Sequence, residues 1–344
     1  MKIVHFECGL GNQMTCYANY LLVKKNNPDD EVVIENLVYS IDRGDVGFNQ
    51  WNGFELEDIF GIGFINVTQR VTDKNALLSY MEQEYKKNEG QNNSYSAVTA
   101  LRKTGISFEV VGPYQQESDA DNTPSKIKHV IRRFVITPSN NRISYLFRKV
   151  SYNTLRKVRR YNTDIYCKRN GNCYYPLSFD VMKDIASLEP INKELRESFV
   201  FPEITDERNK AVSRMITECN SVAVHARRSD FLQFNEDCYR FGYFKKAVSY
   251  IRSQIESPVF FVFSEECAWC RQNIDELGLS HDDKIIFVDW NQGKDSFRDM
   301  QLMSMCKHDI ITKSSFGWWA AYLNINPDKI IVSQVSEYYS KVYF

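Results

Sequence analysis

This sequence of 344 residues lacks several features that would assign a protein class at once. It contains no run of about 18 apolar residues, so we expect no transmembrane helix. The apolar stretch 1–6 runs straight into Gly9 and Gly11, which makes it too short for a secretory signal peptide. The five histidines include no H-x-x-x-H pair, so we expect no histidine-built metal site. Walker A, G-x-S-x-G and H-E-x-x-H patterns are also absent, which leaves P-loop, serine-hydrolase and zincin interpretations without support.

A disulfide framework is missing as well, although cysteine occurs nine times. The number is odd and several cysteines lie inside apolar runs, so we expect reduced thiols in an intracellular protein. Cys267 and Cys270 form a C-x-x-C pair, but no second pair completes a zinc site. The pattern favours packing in the core over metal binding or redox use.

A strong overall charge is the next absence, because the formal net charge is −1. This value gives no electrostatic reason to expect a nucleic-acid-binding protein. It conceals a basic segment, since thirteen Lys/Arg and a single acid between Lys126 and Arg169 give a local charge of +12. Apolar residues recur at helical spacing over 143–160, with basic residues on the other faces. Such a helix fits an anionic membrane surface or a solvated face, and a nucleic-acid groove is the third alternative.

What the sequence does contain is the periodicity of an α/β protein with about two domains. At its start, 2–6 is typical of a buried strand, 9–13 of a turn and 14–24 of a helix. After Asn220, strand-like runs recur at 221–225, 259–263, 284–288, 309–312 and 329–332. Helical runs separate them at 243–255, 266–277, 296–305 and 316–324. This alternation predicts a parallel sheet with helices on both faces.

Polar residues collect just beyond the carboxyl ends of these predicted strands, where open α/β sheets bind ligands. Arg227 and Arg228 follow the first of these strands, and paired guanidinium groups suit an oxyanion or a diphosphate. Because side chains alternate along an extended strand end, the pattern also fits one arginine on a ligand and the other in an ion pair. Asp230, Glu265 and Glu266 are the acids within the same polar clusters.

Two further polar segments lie between a predicted strand and a predicted helix. Ser314 and Ser315 precede the last helical run, where their hydroxyl groups and the helix amides either bind an anion or cap the helix. The turn that contains Gly9 and Gly11 is not the dinucleotide fingerprint, because Met14 stands where the third glycine belongs. This departure argues against NAD binding.

Taken together, four motifs resemble glycosyltransferase family 11, the bacterial α-1,2-fucosyltransferase group. They are G-L-G-N-Q-M at 9–14, H-A-R-R-S-D at 225–230, F-V-F-S at 261–264 with W-C at 269–270, and D-M-Q-L-M-S to S-S-F-G-W-W over 299–319. The resemblance covers residues 1–20 and about 220–325, in the family's order. Serine replaces the family's usual glycine at 229, lysine its asparagine at 313, and glycine its serine at 317.

The resemblance implies a GT-B fold, in which two Rossmann-like domains face a central cleft. The acceptor-side domain is expected at 1–205, with a basic helical insertion at about 124–171, and the donor domain at 206–344. The resemblance also implies metal-independent, inverting transfer of fucose from GDP-fucose, with no cofactor beyond this donor substrate. Arg227 is expected to stabilise the leaving diphosphate, and no catalytic base is assigned. The implied donor-binding residues are Gly9, Gly11, Asn12, His225, Arg227, Arg228, Asp230, Ser264, Asp299, Ser314, Ser315 and Phe316.

The leading hypothesis is therefore an α-1,2-fucosyltransferase that acts on a galactose-terminated glycan in surface-polysaccharide synthesis. Its expected partners are a nucleotide sugar, a glycan acceptor and an anionic membrane surface contacted through 143–160, with no nucleic acid. We expect a cytoplasmic protein that is peripheral at the inner membrane face. The alternatives are a transferase of the same fold with another nucleotide sugar, and a non-catalytic glycan-binding relative.

Overall fold

The computed structural model describes residues 1–42, 52–90, 92–112, 167–183, 185–229, 232, 238–333 and 342–343. These residues form two compact units. The first contains the described residues up to 112 and from 167 to Pro202, and the second begins at Glu203. The predicted basic helix over 143–160 and Asp230 both lie outside the described residues. The assignment of an acceptor side and a donor side to the two domains stays a prediction.

In the described part of the first unit, four parallel strands form a sheet in the order β2-β1-β4-β3. The strands are β1 (Lys2–His5), β2 (Val32–Glu35), β3 (Glu109–Val110) and β4 (Cys173–Tyr175). The helices are α1 (Leu10–Asn26), α2 (Glu55–Phe60), α3 (Lys74–Lys87), α4 (Asn93–Lys103), α5 (Asp180–Lys183) and α6 (Asn192–Ser198). Short 3-10 helices lie at Leu37–Tyr39, Val67–Arg70 and Ile185–Ile191.

The start of α1 differs from the sequence prediction. Gly9 is the N-cap of this helix, and the backbone amides of Asn12 and Gln13 donate to its carbonyl at 2.9 and 3.1 Å. The predicted turn at 9–13 is therefore wrong, because Gly11 and Asn12 lie in the first helical turn. The reversal of the chain occurs earlier, at Cys8, whose φ of +68° lies in the left-handed region.

The second unit contains a larger parallel sheet, with the order β10-β9-β8-β5-β6-β7 among the described residues. Its strands are β5 (Asn220–His225), β6 (Pro258–Phe263), β7 (Lys284–Val288), β8 (His308–Ile311), β9 (Ile331–Ser333) and β10 (Val342–Tyr343). Its helices are α7 (Glu207–Glu218), α8 (Tyr243–Gln254), α9 (Cys267–Gln272), α10 (Phe297–Met305) and α11 (Ser315–Leu323). A 3-10 helix lies at Gly293–Asp295. The predicted α/β class with parallel strands is confirmed.

The core of the second unit forms where the continuous apolar run of β6 packs between β5 and β7. Residues 259–263 are all buried, as is typical of a central parallel strand that is covered on both faces. The helix predicted over 266–277 is shorter than expected and ends at Gln272. Its carboxyl end is closed by Asn273, whose side-chain amide donates to the Trp269 carbonyl at 2.9 Å. A short polar side chain that bonds the backbone in this way competes with helix continuation.

The C-x-x-C pair lies in α9, inside this core. Cys267 is 5% exposed and Cys270 is fully buried. Burial raises the pKa of the Cys267 thiol to about 12 and that of Cys270 to about 11, so both stay protonated at neutral pH. The prediction that these cysteines pack in the core is confirmed. Among the described helices, none combines the length and the apolar character needed to cross a bilayer.

Candidate active site

The order in which strands are added to the second sheet reverses between β5 and β8. From β5 the chain adds β6 and then β7 on one side, and it returns to place β8 on the other side, with Val222 opposite His308 and Val224 opposite Ile310. In open α/β sheets the crevice beyond the carboxyl ends of two such strands is the usual ligand site. We refer to the residues beyond β5 (225–228) and beyond β8 (312–317) as the β5–β8 crevice.

The β5–β8 crevice joins two motifs that lie far apart in the sequence. The ring centroids of His225 and Phe316 are 5.7 Å apart. A Cβ atom added to Gly317 would lie 2.5 Å from His225 Nδ1, so the backbone of α11 packs directly against the imidazole. The structure therefore brings His225 together with the first turn of α11, as the sequence predicted for residues at equivalent strand ends.

The amino end of α11 is the anion-attracting part of the crevice. Ser314 is its N-cap, in extended backbone conformation, and makes no side-chain capping hydrogen bond within the described residues. The capping role that the sequence allowed for Ser314 is therefore not found here. The amides at a helix amino end carry partial positive charge and bind anions. Thr312 Oγ1, just before this turn, is buried and has no hydrogen-bond partner in the described part of the chain.

Arg227 supplies the full positive charge at the end of β5. Its side chain is 21% exposed, and its guanidinium lies 3.4 Å from Glu265 Oε1. The Tyr239 hydroxyl donates to the Arg227 carbonyl at 3.0 Å, which holds the backbone in place. Partial burial raises the pKa of Glu265, and the charge of Arg227 opposes this rise. A partly exposed guanidinium at a strand end is suited to bind a diphosphate.

Arg228 has a different environment. It is 8% exposed, and its Nε donates to Glu266 Oε2 at 2.8 Å. Its guanidinium carbon lies 3.3 Å from the Trp269 ring centroid and 4.7 Å from that of Tyr239. Stacking and the ion pair with Glu266 therefore hold the Arg228 side chain inside the unit. This agrees with the expectation that one of the two arginines pairs with an acid. Its donor-binding role stays a prediction.

Ser264 connects the ends of β5 and β6. Its hydroxyl donates to the Ala226 carbonyl at 2.7 Å and accepts from the Glu266 amide at 3.1 Å. These bonds position the backbone between His225 and Arg227, so the structure gives Ser264 a role in shaping the crevice. A direct contact with a donor stays a prediction.

Asp299 lies in the first turn of α10, near the carboxyl end of β7. Its Oδ1 accepts a hydrogen bond from Asn291 at 2.8 Å, and burial raises its pKa to about 7. Asn291 and Trp290 also bond Asn209, the latter through the indole N–H at 2.8 Å. Trp290 and Asn291 directly follow the strand predicted at 284–288, but the sequence gives no sign of Asn209, because this residue comes from α7. The donor-binding role of Asp299 stays a prediction.

His225 is buried and uncharged. It is 5% exposed, and burial together with the nearby Arg227 lowers its pKa to about 3. Its Nδ1 has no hydrogen-bond partner among the described residues. An orphaned buried nitrogen is unusual in a folded protein. At the end of β5, packing rather than hydrogen bonding to Nδ1 therefore fixes the orientation of the His225 ring.

The other predicted donor-binding residues, Gly9, Gly11 and Asn12, lie at the start of α1 in the first unit. The Asn12 side chain hydrogen-bonds the Cys8 thiol. Gln13 donates to the carbonyls of Cys8 and Gly53, at 2.9 Å in each case. This part of the motif therefore stabilises the loop around β1, and its contact with a donor stays a prediction.

Sequence reasoning missed a buried charged cluster at the carboxyl ends of β1 and β2. His5 Nδ1 lies 2.5 Å from Glu35 Oε2, which also accepts from the Tyr174 hydroxyl at 2.8 Å. Glu7 Oε2 lies 3.5 Å from His5 Nε2 and accepts from Asn93 at 2.7 Å. Burial alone would lower the pKa of His5, but Glu35 and Glu7 raise it to about 10. The available signal was that His5 and Glu35 each end an apolar strand.

In the part of the chain that the structure describes, no three His, Cys, Asp or Glu side chains lie close enough to hold a metal ion. The β5–β8 crevice itself contains three cationic side chains, those of Arg227, Arg228 and Lys313, together with the amino end of α11.

Comparison with known proteins places this crevice in a family. Residues 191–342 match the family described as Glycosyl transferase family 11. The chain is 32% identical over 145 residues to galactoside alpha-(1,2)-fucosyltransferase 1 of Lagothrix lagotricha, covering 39% of this chain and 38% of that protein. It is 36% identical over 119 residues to an alpha-1,2-colitosyltransferase of Escherichia coli, covering 33% of this chain and 40% of that protein.

The matched region spans about two fifths of the length of these curated relatives. Among solved structures, the chain is similar to a NodZ alpha-1,6-fucosyltransferase co-crystallized with GDP, at 13% identity and a TM-score of 0.45, over 97% of this chain and 95% of that one. The family match contains β5, β8 and the start of α11, which carry the crevice. Residues 191–342 of this chain match glycosyl transferase family 11, so the resemblance predicted from the motifs in this region is confirmed.

Proposed function

We propose that this protein is an inverting glycosyltransferase that moves fucose from GDP-fucose to a galactose-terminated glycan, with an α-1,2 linkage. The observation that carries the proposal is the contact of His225 with the first turn of α11, with the cation of Arg227 close to His225 at the end of β5. The family match over the same residues and the names of the relatives support the sugar and the linkage. The GT-B arrangement of the two units is part of the proposal.

The chemistry of the crevice fits a nucleoside diphosphate as leaving group. In the transfer, an acceptor hydroxyl oxygen forms a bond to the fucose anomeric carbon, while the bond from that carbon to the diphosphate oxygen breaks. The electron pair of the broken bond passes to the diphosphate, and the hydroxyl proton is released as the new bond forms. Because the hydroxyl attacks the face opposite the leaving group, the configuration inverts. Arg227 and the amides of α11 stabilise the charge that develops on the diphosphate.

Metal independence follows from the same residues in this proposal. A leaving diphosphate needs positive charge, and a guanidinium supplies it in a bidentate geometry that stays charged at all physiological pH values. A transition state with strong oxocarbenium character needs little help from a general base, so the proposal assigns no catalytic base. Incubation with GDP-fucose and a panel of galactose-terminated acceptors, with and without EDTA, tests whether fucose is transferred and whether the transfer requires a metal ion.

The expected result is transfer at equal rates with and without the chelator, and release of GDP in equal amount to the fucosylated product. Loss of transfer in EDTA would remove metal independence from the proposal. Absence of both GDP binding and donor hydrolysis would overturn the donor assignment. GDP binding without turnover on any acceptor would instead favour the non-catalytic glycan-binding alternative.

The cellular role is also proposed: synthesis of a surface polysaccharide at the inner membrane face, by a cytoplasmic, peripheral protein. The charge of +12 between Lys126 and Arg169 supports attraction to anionic lipids. The purified protein is expected to bind vesicles that contain phosphatidylglycerol and to dissociate as salt is raised, because surface charge is screened. Failure to bind at low salt would remove the membrane from the proposal.

A second donor is supported by one of the relatives, which is named as a colitosyltransferase. The same crevice would hold the diphosphate of a nucleotide-activated colitose, since this part of the site does not contact the sugar's hydroxyl groups in the proposal. Competition between this donor and GDP-fucose in the transfer assay distinguishes the two. A higher kcat/KM for the colitosyl donor would favour the second function.

A further inference from the structure

In the first sheet, too, the order in which strands are added reverses, between β1 and β4. From β1 the chain adds β2 on one side, and it later places β4 on the other side, with Ile3 opposite both Val33 and Tyr174. Glu7 lies two residues beyond the carboxyl end of β1. In open α/β sheets this is the usual position of a ligand site. Glu7 precedes the motif at 9–14, so the resemblance assigns it no role.

The carboxylate of Glu7 is held by two neighbours through one of its two oxygens. Oε2 lies 3.5 Å from His5 Nε2 and accepts a hydrogen bond from Asn93, the first residue of α4, at 2.7 Å. Among the described residues both contacts are made by Oε2, which leaves Oε1 without a partner there. The side chain is 15% exposed, so solvent reaches it. A charged oxygen in this situation is suited to accept a hydrogen bond from a ligand.

The backbone on both sides of Glu7 is also fixed. On one side the Phe6 amide donates to the Glu35 carbonyl at 2.7 Å. On the other side the Cys8 carbonyl accepts from the Tyr39 hydroxyl at 2.5 Å. The position of the carboxylate is therefore set before any ligand binds, which lowers the entropy that binding costs.

The two side chains that hold Glu7 are themselves incompletely bonded. Asn93 is 7% exposed and His5 is 1% exposed, yet Asn93 Oδ1 and His5 Nε2 have no hydrogen-bond partner in the described part of the chain. Polar groups buried this deeply are normally paired. The orientation of the Asn93 amide follows from Glu7, because a carboxylate only accepts and so faces the N–H group. The unused bonding capacity beside Glu7 indicates a site that a further polar group completes.

The charge of this cluster selects the kind of ligand. Burial alone would raise the pKa of Glu7, but the charged His5 and the Asn93 amide lower it, so Glu7 is ionised at neutral pH. His5 is shared with Glu35, whose Oε2 lies 2.5 Å from Nδ1. Two carboxylates around one imidazolium leave one net negative charge. This charge repels a diphosphate, whereas the free carboxylate oxygen accepts a hydrogen bond from a neutral hydroxyl group.

We propose that Glu7 binds the glycan acceptor, that its Oε1 accepts a hydrogen bond from one hydroxyl group of the acceptor sugar, and that Asn93 positions the carboxylate for this contact. The identity of the ligand rests on the proposed function. The diphosphate of the donor and the hydroxyl group of the acceptor are then recognised by side chains of opposite charge, Arg227 and Glu7.

The other carboxylate of the cluster has a structural role. Glu35 is fully buried, and it accepts hydrogen bonds from the Tyr174 hydroxyl and the Leu37 amide, at 2.8 Å in each case. Together with the contact to His5, these bonds occupy both of its oxygens. Glu7 is therefore the carboxylate of the pair that a ligand can reach.

The first test measures glycan binding by titration calorimetry with a galactose-terminated oligosaccharide, with and without GDP. Glu7→Gln is expected to weaken binding by about 10–100-fold, the effect of one hydrogen bond to a charged group, because an N–H group replaces the free oxygen. The control Glu31→Gln removes the same charge from an exposed ion pair with Arg70 in the same unit and should bind as wild type does. Equal affinities of wild type and Glu7→Gln, or no binding by wild type, would overturn the inference.

The second test identifies the hydroxyl group with a series of monodeoxy galactosides. Removal of one particular hydroxyl is expected to weaken binding to wild type by about tenfold and to Glu7→Gln by less than about twofold. Removal of any other hydroxyl should affect both proteins equally. If every deoxy compound affects the two proteins equally, Oε1 contacts no hydroxyl group and the inference fails.

The third test examines the positioning role of Asn93. Asn93→Ala is expected to weaken oligosaccharide binding by about threefold to tenfold in the wild-type background and by less than about twofold in Glu7→Gln. A merely structural role would give equal losses in the two backgrounds, and that result would remove Asn93 from the proposal.

The fourth measurement separates the acceptor from the donor. Glu7→Gln should keep the GDP Kd and the rate of GDP-fucose hydrolysis within about twofold and lower kcat/KM for the acceptor by about 10–100-fold. A parallel loss of GDP affinity would indicate general structural damage and contradict the assigned role. If wild type neither binds GDP nor hydrolyses GDP-fucose, the proposed function fails, whereas the oligosaccharide titration still decides the role of Glu7.

Discussion

The two units each end their central strand with a buried histidine, and the two histidines have opposite environments. His5 ends β1 between two carboxylates, and its pKa is raised to about 10. His225 ends β5 beside Arg227, and its pKa is lowered to about 3. Both rings are at most 5% exposed. The same residue at the same kind of position is therefore a charged partner of two carboxylates in one unit and a neutral group beside an arginine in the other.

The two histidines differ in the charged groups that surround them. The first unit satisfies its buried charge internally, through Glu35, Glu7 and Tyr174. Buried side-chain atoms without a hydrogen-bond partner occur among the described residues of both units, for example His5 Nε2 in the first and His225 Nδ1 in the second. What distinguishes the second unit is that a partly exposed cation, Arg227, lies beside the neutral His225 at the strand end.

The largest expected effect comes from removal of the charged histidine. His5→Leu leaves two carboxylates near each other without their cation, and should lower the free energy of unfolding of the first unit by about 3–5 kcal/mol. His225→Leu, the matched control, should change that of the second unit by no more than about 1 kcal/mol, since no hydrogen bond of the described residues is lost. Urea titration followed by hydrogen exchange in β1 and β5 separates the two units. Equal losses would contradict the comparison.

The two histidines should also give stability opposite dependences on pH. The folded state binds fewer protons at His225 than the unfolded state between pH 3 and 6.5, so its stability falls as pH drops below 6.5. His5 contributes stability that is complete below pH 6.5 and is lost as pH rises towards 10.

The measurement is the difference in unfolding free energy between wild type and each His→Asn variant. It should change by up to about 1.4 kcal/mol per pH unit, below pH 6.5 for His225 and above it for His5. Use of the difference cancels the titration of other buried groups, such as Asp299 and Asp309, whose pKa values burial raises to about 7. Slopes of the same sign would refute the contrast.

Arg227 and Arg228 allow a second comparison, between a ligand-binding and a structural arginine within the second unit. Arg227→Ala should weaken GDP binding by about 10–100-fold, since hydrogen bonds to a charged group contribute about 1.5–3 kcal/mol, and should change stability little. Arg228→Ala should instead lower stability by about 2–3 kcal/mol, because it removes stacking on two rings and an ion pair. Calorimetric titration with GDP and urea unfolding of both variants measure the two effects. Retained GDP affinity in Arg227→Ala would remove that residue from the site.

The smallest expected effect concerns backbone conformation. Cys8 and Ser229 follow the two histidines closely, and both adopt positive φ, +68° and +47°. Ser229 stands where the family usually has glycine, and its conformation explains that preference, because only glycine adopts it without steric cost. Ser229→Gly should stabilise the second unit by up to about 1 kcal/mol. Ser229→Ala keeps the Cβ and should not stabilise, and a gain of equal size there would exclude relief of strain.

Much of the second unit follows from the sequence, because its signals are local. The apolar runs predict β6 and β7 within one residue, and the alternation with helices predicts a parallel sheet. The first turn of α1 was misread, since two glycines usually mark a turn, whereas here Gly9 caps the helix and Gly11 lies within it. The charged cluster around His5 was missed, because Glu35 and Tyr174 reach it from other strands.

By itself, then, the sequence determined the α/β class, the similarity of residues 191–342 to a known family and the strand ends where polar residues collect. These depend on periodicity and on motifs of neighbouring residues. Only the tertiary structure decided which arginine stacks inside and which stays partly exposed, and which histidine is charged. Protonation and orientation depend on partners from distant parts of the chain: Glu35 and Glu7 for His5, and Arg227 and Gly317 for His225. Those partners meet only when the sheet order brings β5 beside β8 and β1 beside β2.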